Sequence, residues 1–309
     1  MKIAVLSDIH GNYVALQRCI EDALSKGVHS FIFLGDYVGE LAYPQKTMEI
    51  LNSLKEKYSC YFVKGNKEDY WINYERDGEK GWEEYDSTTG SLYYTYHNLV
   101  EDDLAFFKSL SHKAEISFDG LPKLTICHGS PNLVNEKMLP NHQKTFDIME
   151  KDRNSLILCG HTHVQGVIEH GGKIALNPGA VGVSLHSGGK AQFLILTGVT
   201  GAWDYEFISL DYNVEQVILD LSSSGLSLKA PSWCRVSKHL LRTGEISHGT
   251  VLAKAMALCR DELGECNWPA IPEKYWEQAV AEMIGGMRQK HFVLENWESM
   301  ERNCHNNLR

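Results

Sequence analysis

Two aspartates, one asparagine and four histidines fall just past short apolar runs in this chain, and together they could hold divalent metal ions for metal-activated hydrolysis. They are Asp8 and His10 in Asp8-Ile9-His10, Asp36 after Gly35, Asn66 after Gly65, His128 after Cys127, and His161 and His163 in Gly160-His161-Thr162-His163. Oxygen and imidazole donors with no obvious thiolate suit Mn²⁺, Fe, Co²⁺, Ni²⁺ or Zn²⁺. They suit a Ca²⁺ cage of oxygens alone or a Cys-rich structural zinc site less well. The two-residue spacing of Asp8 and His10, repeated in His161 and His163, puts alternate side chains of an extended stretch on one face. Gly35 lets the backbone approach closely before Asp36, whose two carboxylate oxygens can bridge two ions. Each motif alone is weak, because an Asp or His near a strand end more often caps a turn. Five of them ending five separate runs is hard to produce by accident.

The runs that must position these residues are 3–6, 31–34, 60–63, 124–127 and 156–159, each rich in Ile, Leu, Val, Phe or Tyr. Short continuous apolar runs fit strands buried on both faces, and in such sheets the loops past the strand ends hold the site. Between them, Asn12 caps a helix carrying Leu16, Cys19, Ile20, Ala23 and Leu24 on one face and stopped by Gly27. Pro44 opens a second helix with Thr47, Met48, Leu51, Leu54, Lys55 and Tyr58 along one stripe. The order strand, helix, strand, helix, strand favours an α/β architecture with parallel neighbours.

Residues 70–96 hold eight aromatics in a chain that is 10% aromatic overall, so this segment is more than a linker. It reads either as a substrate wall or as the packing of an inserted helical hairpin, and aromatic burial favours the second. From 115 to 210 the pattern is strand-rich, with Gly171-Gly172 and Gly188-Gly189 read as hairpin turns. A second sheet packed on the first accounts for these strands. Beyond about 212 the period turns helical, with Asn213 as a cap and later helices around Trp233, Val236 and Leu240, around Val251, Ala255 and Leu258, and from Tyr275 to Met287. The polar end at 298–309 is expected to fray. The expected division is a catalytic domain at 1–212 and a helical C-terminal extension at 213–309.

The 309 residues carry 30 Lys and Arg against 40 Asp and Glu, a formal charge of −10. An acidic chain does not make a general nucleic-acid binder, which needs basic surface to neutralise phosphates. Eight Cys without a CxxC pair read as free thiols in a reducing cytoplasm. The N-terminus has no signal-peptide layout and no 18-residue apolar stretch occurs, so the expectation is a soluble cytoplasmic protein. The oligomeric state stays open.

With all its elements in order, the chain resembles the calcineurin-like metallophosphoesterases, whose signature runs Asp-x-His, Gly-Asp, Gly-Asn, His and Gly-His-x-His. The resemblance covers roughly residues 1 to 210. Asn177-Pro178-Gly179 further resembles the Asn-Pro-Gly turn of the smaller bacterial, YfcE-like phosphodiesterases, and is read as mainly structural. The resemblance implies a two-sheet β-sandwich flanked by helices. It implies two divalent ions, one held by Asp8, His10, Asp36 and His163, the other by Asp36, Asn66, His128 and His161. It also implies a bridging hydroxide that attacks phosphorus in line.

One departure bears on the chemistry. Many relatives have Gly-Asn-His, whose His protonates the leaving oxygen, whereas here the segment is Gly65-Asn66-Lys67-Glu68-Asp69. A Lys is a fixed cation, a poorer proton donor at neutral pH but a good partner for phosphate. The expected catalytic set is Asp36, Asn66, Lys67 and His128. The expected activity is a phosphodiesterase or nucleotide hydrolase acting on a small phosphorylated substrate, a nucleotide among the candidates. A dinucleoside polyphosphate hydrolase or broad phosphomonoesterase is the alternative, with a protein phosphatase or a non-enzymatic scaffold less favoured. His29, His97, His112, His142, His170, His186, His239, His248, His291 and His305 have no ligand spacing and read as surface or helix residues. His97, next to the aromatic segment, is the one of these expected to have a chance of facing the site.

Overall fold

The first strand shows why the apolar runs are continuous. Ile3 and Val5 point to one side and Ala4 and Leu6 to the other, and all four are fully buried. Ile3 and Val5 join Ile32, Leu34, Leu124, Ile126, Leu158 and Leu194 in a core between two sheets. Ala4 and Leu6 join Leu16, Cys19, Phe31, Phe33 and Leu51 in a core between sheet and helices. Each Val, Leu, Ile or Phe among them adds about 1.5–3 kcal/mol on burial, before the opposing entropy.

The computed structural model describes residues 1–285. Met287, His291, Cys304, His305 and the polar end at 298–309 lie outside the described residues. The chain begins β1 (Lys2–Leu6), α1 (Tyr13–Ser25), β2 (Ser30–Phe33), α2 (Pro44–Lys57), β3 (Ser59–Phe62), α3 (Asn66–Arg76), α4 (Gly90–Tyr96) and α5 (Glu101–Ser109). Next come β4 (Lys113–Ile116), β5 (Leu124–Cys127), α6 (Gln143–Lys151), β6 (Leu156–Leu158), β7 (Gln165–His170), β8 (Lys173–Pro178), β9 (Ala191–Val199) and β10 (Ala202–Leu210). The helices α7 (Val214–Ser223), α8 (Leu226–Lys229), α9 (Pro231–Thr243), α10 (His248–Leu263) and α11 (Glu273–Val280) follow, with a π-helical turn at Ala281–Gly285.

The strands form two five-stranded sheets, in the orders β10-β9-β1-β2-β3 and β4-β5-β6-β8-β7. β1, β2 and β3 are parallel, as are β5, β6 and β8. The fold is thus the expected α/β one, two mixed sheets face to face with helices outside. All five ligand-bearing loops leave the ends of parallel strands, which is why they meet at one end of the sandwich. Asn12 caps α1 as expected, accepting from the Ala15 amide, and Asn213 caps α7 through the Gln216 amide.

Two local readings change. Gly171-Gly172 turns the β7–β8 hairpin, but Gly188-Gly189 does not turn one. The chain there crosses from β8 in one sheet to β9 in the other, and a Cβ on Gly189 would lie 2.5 Å from the Leu241 carbonyl. Gly189 serves close packing against the end of α9, whereas a Cβ on Gly188 would meet open space. Most of the aromatic segment is packing, with Tyr70 and Tyr85 the exposed rings. Trp71 is fully buried with its indole N–H donating to the Leu92 carbonyl, and Tyr74 stacks on Trp82 at 3.9 Å.

Helices α7 to α11 share a core containing Trp233, Leu240, Tyr275 and Trp276, and it extends to Leu41, Ala42, Tyr94 and Val183 of the preceding region. They therefore lie against the sandwich rather than apart from it. No helix among the described residues is long and apolar enough to cross a membrane. The seven cysteines among them are all free.

Candidate metal centre

The backbone is forced into an uncommon shape where the ligands sit. Asp8, His10, Asp36, His161 and His163 all have positive φ, between 51° and 67°, a region few non-glycine residues adopt. The tight turns direct alternate side chains inward while Ile9 stays in the core. The loops are tied by backbone hydrogen bonds from Asp8 to the Gly35 carbonyl (3.1 Å) and from His10 to the Asp36 carbonyl (2.9 Å).

Asp8 divides its oxygens between two tasks. Oδ2 accepts from the Ser7 hydroxyl (2.6 Å) and the His161 amide (3.0 Å). Oδ1 is buried and has no hydrogen-bond partner, yet stands 3.2 Å from His163 Nε2 and 3.8 Å from His10 Nε2. Asp36 is divided the same way. Its Oδ1 accepts from the Lys67 amide at 2.8 Å, and its Oδ2 lies 3.6 Å from His10 Nε2 and 3.5 Å from His128 Nε2. Asn66, at the first turn of α3, directs Oδ1 to His128 Nε2 at 3.1 Å, and the His128 and His161 rings are 5.1 Å apart.

A buried carboxylate oxygen without a donor is costly, and a divalent ion among these atoms removes that cost. Ligand atoms of Asp8, His10, Asp36 and His163 all lie within 4.8 Å of one another, which fits a metal ion. Second nitrogens are also accounted for. His128 Nδ1 faces the Leu34 carbonyl (2.7 Å), His163 Nδ1 the Val183 carbonyl (3.1 Å) and His161 Nε2 the Asn135 carbonyl (3.1 Å). A carbonyl there selects the N–H tautomer and leaves the other nitrogen's lone pair for a metal.

Electrostatics agree with this reading. Burial pushes the Asp8 carboxyl up, but His163, His10 and His128 outweigh it and hold it well below the usual carboxylate range. Burial and the neighbouring His128 push His161 down to about 4. Burial raises the Cys159 thiol to about 12 and holds the Cys127 thiol well above its ordinary value, so neither supplies a thiolate.

The structure brings together every residue expected from the sequence, Asp8, His10, Asp36, Asn66, Lys67, His128, His161 and His163. Lys67 does not extend into solvent. Its ammonium is 2.6 Å from Glu40 Oε1 on the rim of a cleft of about 180 Å³ that also includes His10, Asp36 and His161. The Asn177 side chain donates to the Gly160 carbonyl (2.7 Å) and the Thr162 hydroxyl (3.0 Å), so it braces the loop that carries the two histidines. His97 is exposed, stacks on Tyr93 and is not among the cleft residues.

Three residues escaped sequence reasoning. Glu68 is fully buried and accepts from the amides of Asp36 (3.0 Å), Tyr37 (2.9 Å) and Gly65 (2.7 Å), clamping two ligand loops together. Burial, then the Asp36 charge, pushes its carboxyl up to about 7. A Glu three residues past a helix cap was a readable signal for it. Glu40 and His248 face each other in the cleft, and no spacing in the sequence announces either. His248, expected as a surface or helix residue, opens α10 and is buried in the cleft beside Leu240 of α9.

A family model of the calcineurin-like phosphoesterase superfamily domain matches residues 1–201. The chain belongs to this superfamily. This phosphoesterase is 26% identical over 249 residues to an uncharacterized protein of Methanocaldococcus jannaschii, covering 75% of this chain and 94% of that one. It superposes on a hypothetical protein from Pyrococcus horikoshii with a TM-score of 0.66 at 19% identity, over 80% of this chain and 99% of that one. For a metallophosphoesterase from Sphaerobacter thermophilus the TM-score is 0.61 at 22% identity, over 79% and 99%. At these identities the two structures speak for the fold alone. Both cover more of the chain than residues 1–201 comprise, so the shared fold continues into the region after the second sheet.

Proposed function

We propose that this phosphoesterase holds two divalent ions and hydrolyses a small phosphate ester, as a phosphodiesterase or nucleotide hydrolase. Asp8, His10, Asp36 and His163 would hold one ion, and Asp36, Asn66, His128 and His161 the other. The observation that carries the reading is the position of Asp36 Oδ2, about equally far from His10 Nε2 and His128 Nε2. Bound ions would supply a water of lowered pKa and neutralise charge on the phosphate. Mn²⁺ is the first ion to try, because the donors are oxygen and imidazole. Free cysteines throughout the described residues fit a reducing compartment such as the cytoplasm.

The test is metal content after reconstitution, followed by hydrolysis of bis(p-nitrophenyl) phosphate with Mn²⁺. Two ions per chain and turnover abolished by EDTA are expected. No bound ion and no turnover with any divalent metal would overturn the proposal.

Lys67 would act as a fixed positive charge for the substrate phosphate. Burial alone lowers its ammonium, but Glu40 outweighs burial and holds it above its ordinary range, so Lys67 keeps its proton. A permanent cation favours leaving groups that need little protonation, such as nucleotide phosphates and phenols. The Lys67→Ala variant is expected to lose about 10- to 100-fold in kcat/KM, in line with loss of a charge-assisted bond of about 1.5–3 kcal/mol. Steady-state kinetics check this, and an unaltered kcat/KM removes Lys67 from phosphate binding. The cleft is smaller than the roughly 300–1,000 Å³ of sites that enclose a drug-sized ligand. That favours a phosphoryl group with its leaving group projecting outward over a dinucleoside polyphosphate held whole.

A further inference from the structure

Among the four histidines of the centre, His10 is the exception. The other three each set their second nitrogen against a backbone carbonyl, whereas His10 Nδ1 is buried with no hydrogen-bond partner. What faces it is a carboxylate, Glu40 Oε1, at 3.7 Å.

Glu40 is itself unusual. It is buried at 5% exposure and sits at φ +61°, a strained conformation that persists only where surrounding structure holds it. Its Oε1 receives the Lys67 ammonium from α3 at 2.6 Å. Its Oε2, which lacks a hydrogen-bond partner, is 3.4 Å from Nδ1 of His248 at the start of α10. His248 is fixed in turn by the Ser237 hydroxyl at its Nε2 (2.9 Å) and by stacking on Trp233 at 4.1 Å, both from α9. A carboxylate has room for all three donors, with about four lone-pair sites.

We propose that Glu40 is a positioning residue: it orients His10 through Nδ1 so that Nε2 faces the metal, and Lys67 and His248 hold Glu40 in place. This rests on the two-ion reading above and deepens it. A carboxylate on the far nitrogen of a ligating histidine fixes the tautomer and raises the basicity of the ligand. The Ser237 hydroxyl lies 2.9 Å from His248 Nε2 and 3.2 Å from the Trp233 carbonyl, and with its hydrogen turned to Nε2 the His248 tautomer is Nδ1–H, the donor that faces Glu40. The C-terminal helices, through His248, thereby set the geometry of a metal ligand that lies in the first loop of the chain.

The experiment is Mn²⁺ and Zn²⁺ binding to the metal-free full chain by calorimetry and chelator competition, with Glu40→Gln, His248→Ala and His248→Asn. Glu40→Gln is expected to weaken the ion at Asp8, His10, Asp36 and His163 by about 10- to 100-fold, the usual range for such outer partners. The ion at Asn66, His128 and His161 should change less than about threefold, an internal control that a merely structural lesion would not spare. His248→Ala should weaken the same ion by a smaller factor, and His248→Asn should recover it, since its amide nitrogen can replace Nδ1 as the donor to Glu40. Histidine ¹⁵N spectra of the zinc form should show His10 as the Nδ1–H tautomer in the wild type. If Glu40→Gln fails to fold, the two His248 variants, one step removed from the centre, carry the test. Wild-type protein that binds two ions, with metal affinity unaltered in Glu40→Gln or in His248→Ala, or with both sites weakened equally, overturns the role of Glu40 alone. Wild-type protein that binds no ion overturns this inference together with the two-ion reading.

Discussion

The Asp36→Asn variant is expected to fold but to lose metal, and to fall in turnover of bis(p-nitrophenyl) phosphate by about 10³-fold or more, some 4 kcal/mol of transition-state stabilisation. The reason lies in the two jobs of the side chain. Oδ1 accepts from the Lys67 amide at 2.8 Å, and an amide oxygen can go on doing so. Oδ2 is the atom near both His10 and His128, and in the variant an NH₂ group takes its place. That group carries no charge and points hydrogens at the lone pairs that would hold metal. The contact that holds the loop survives while the ligand function goes. Circular dichroism and thermal unfolding of the metal-free variant should therefore match the wild type, with metal content and activity lost together. Near-normal turnover would remove Asp36 from the proposed bridging position.

Gly65→Ala is expected to do the reverse, and damage the fold as well as the centre. At φ −91° and ψ 179° an alanine is conformationally comfortable, so the cost is wholly steric. A Cβ there would lie 2.2 Å from Asp36 Oδ1 and 2.4 Å from the Asp36 amide nitrogen. Neither is the free end of a flexible side chain, so the loops must move apart. Gly35 makes the same contact from the other side, where a Cβ would meet the Gly65 nitrogen at 2.4 Å. Overpacking of this kind costs about 1–3 kcal/mol and occasionally more, and here the displaced group is also a ligand. Denaturant unfolding should show the loss, and calorimetry should show weakened metal binding. Gly166→Ala, where nothing lies within 4 Å of the added carbon, is the control and should be near neutral. Equal stability of the two variants would refute the steric account.

What was readable in the chain follows from where each signal comes from. Every candidate ligand except Asn66, which opens α3, sits directly in the loop leaving an apolar strand, so local pattern sufficed to point to it. The strands themselves stood out because Ile3, Ala4, Val5 and Leu6 are all buried, two toward each face. Glu68 carried one local signal, its place three residues past the Gly65 cap, but Lys67-Glu68-Asp69 also looks like the solvated first turn of a helix, and tertiary packing is what adds the Asp36 and Tyr37 amides to that of Gly65. His248 was hidden more deeply, since nothing local links it to a loop that lies two hundred residues earlier and reaches it through helix packing. Gly188-Gly189 misled for the opposite reason. Flanking apolar runs imitate a hairpin, whereas the chain there is changing sheets.

The positive φ values at Asp8, His10, Asp36, His161 and His163 carry a consequence for how this chain balances durability against use. On sterics alone, each of those five positions would be better filled by glycine. The local backbone therefore argues against the residues that selection for metal binding would keep, and the disagreement is concentrated in a few loops instead of being spread through the core. A chain built for ruggedness alone would place glycine at these five positions, so an Asp or His at each of them puts site chemistry ahead of local stability at that spot.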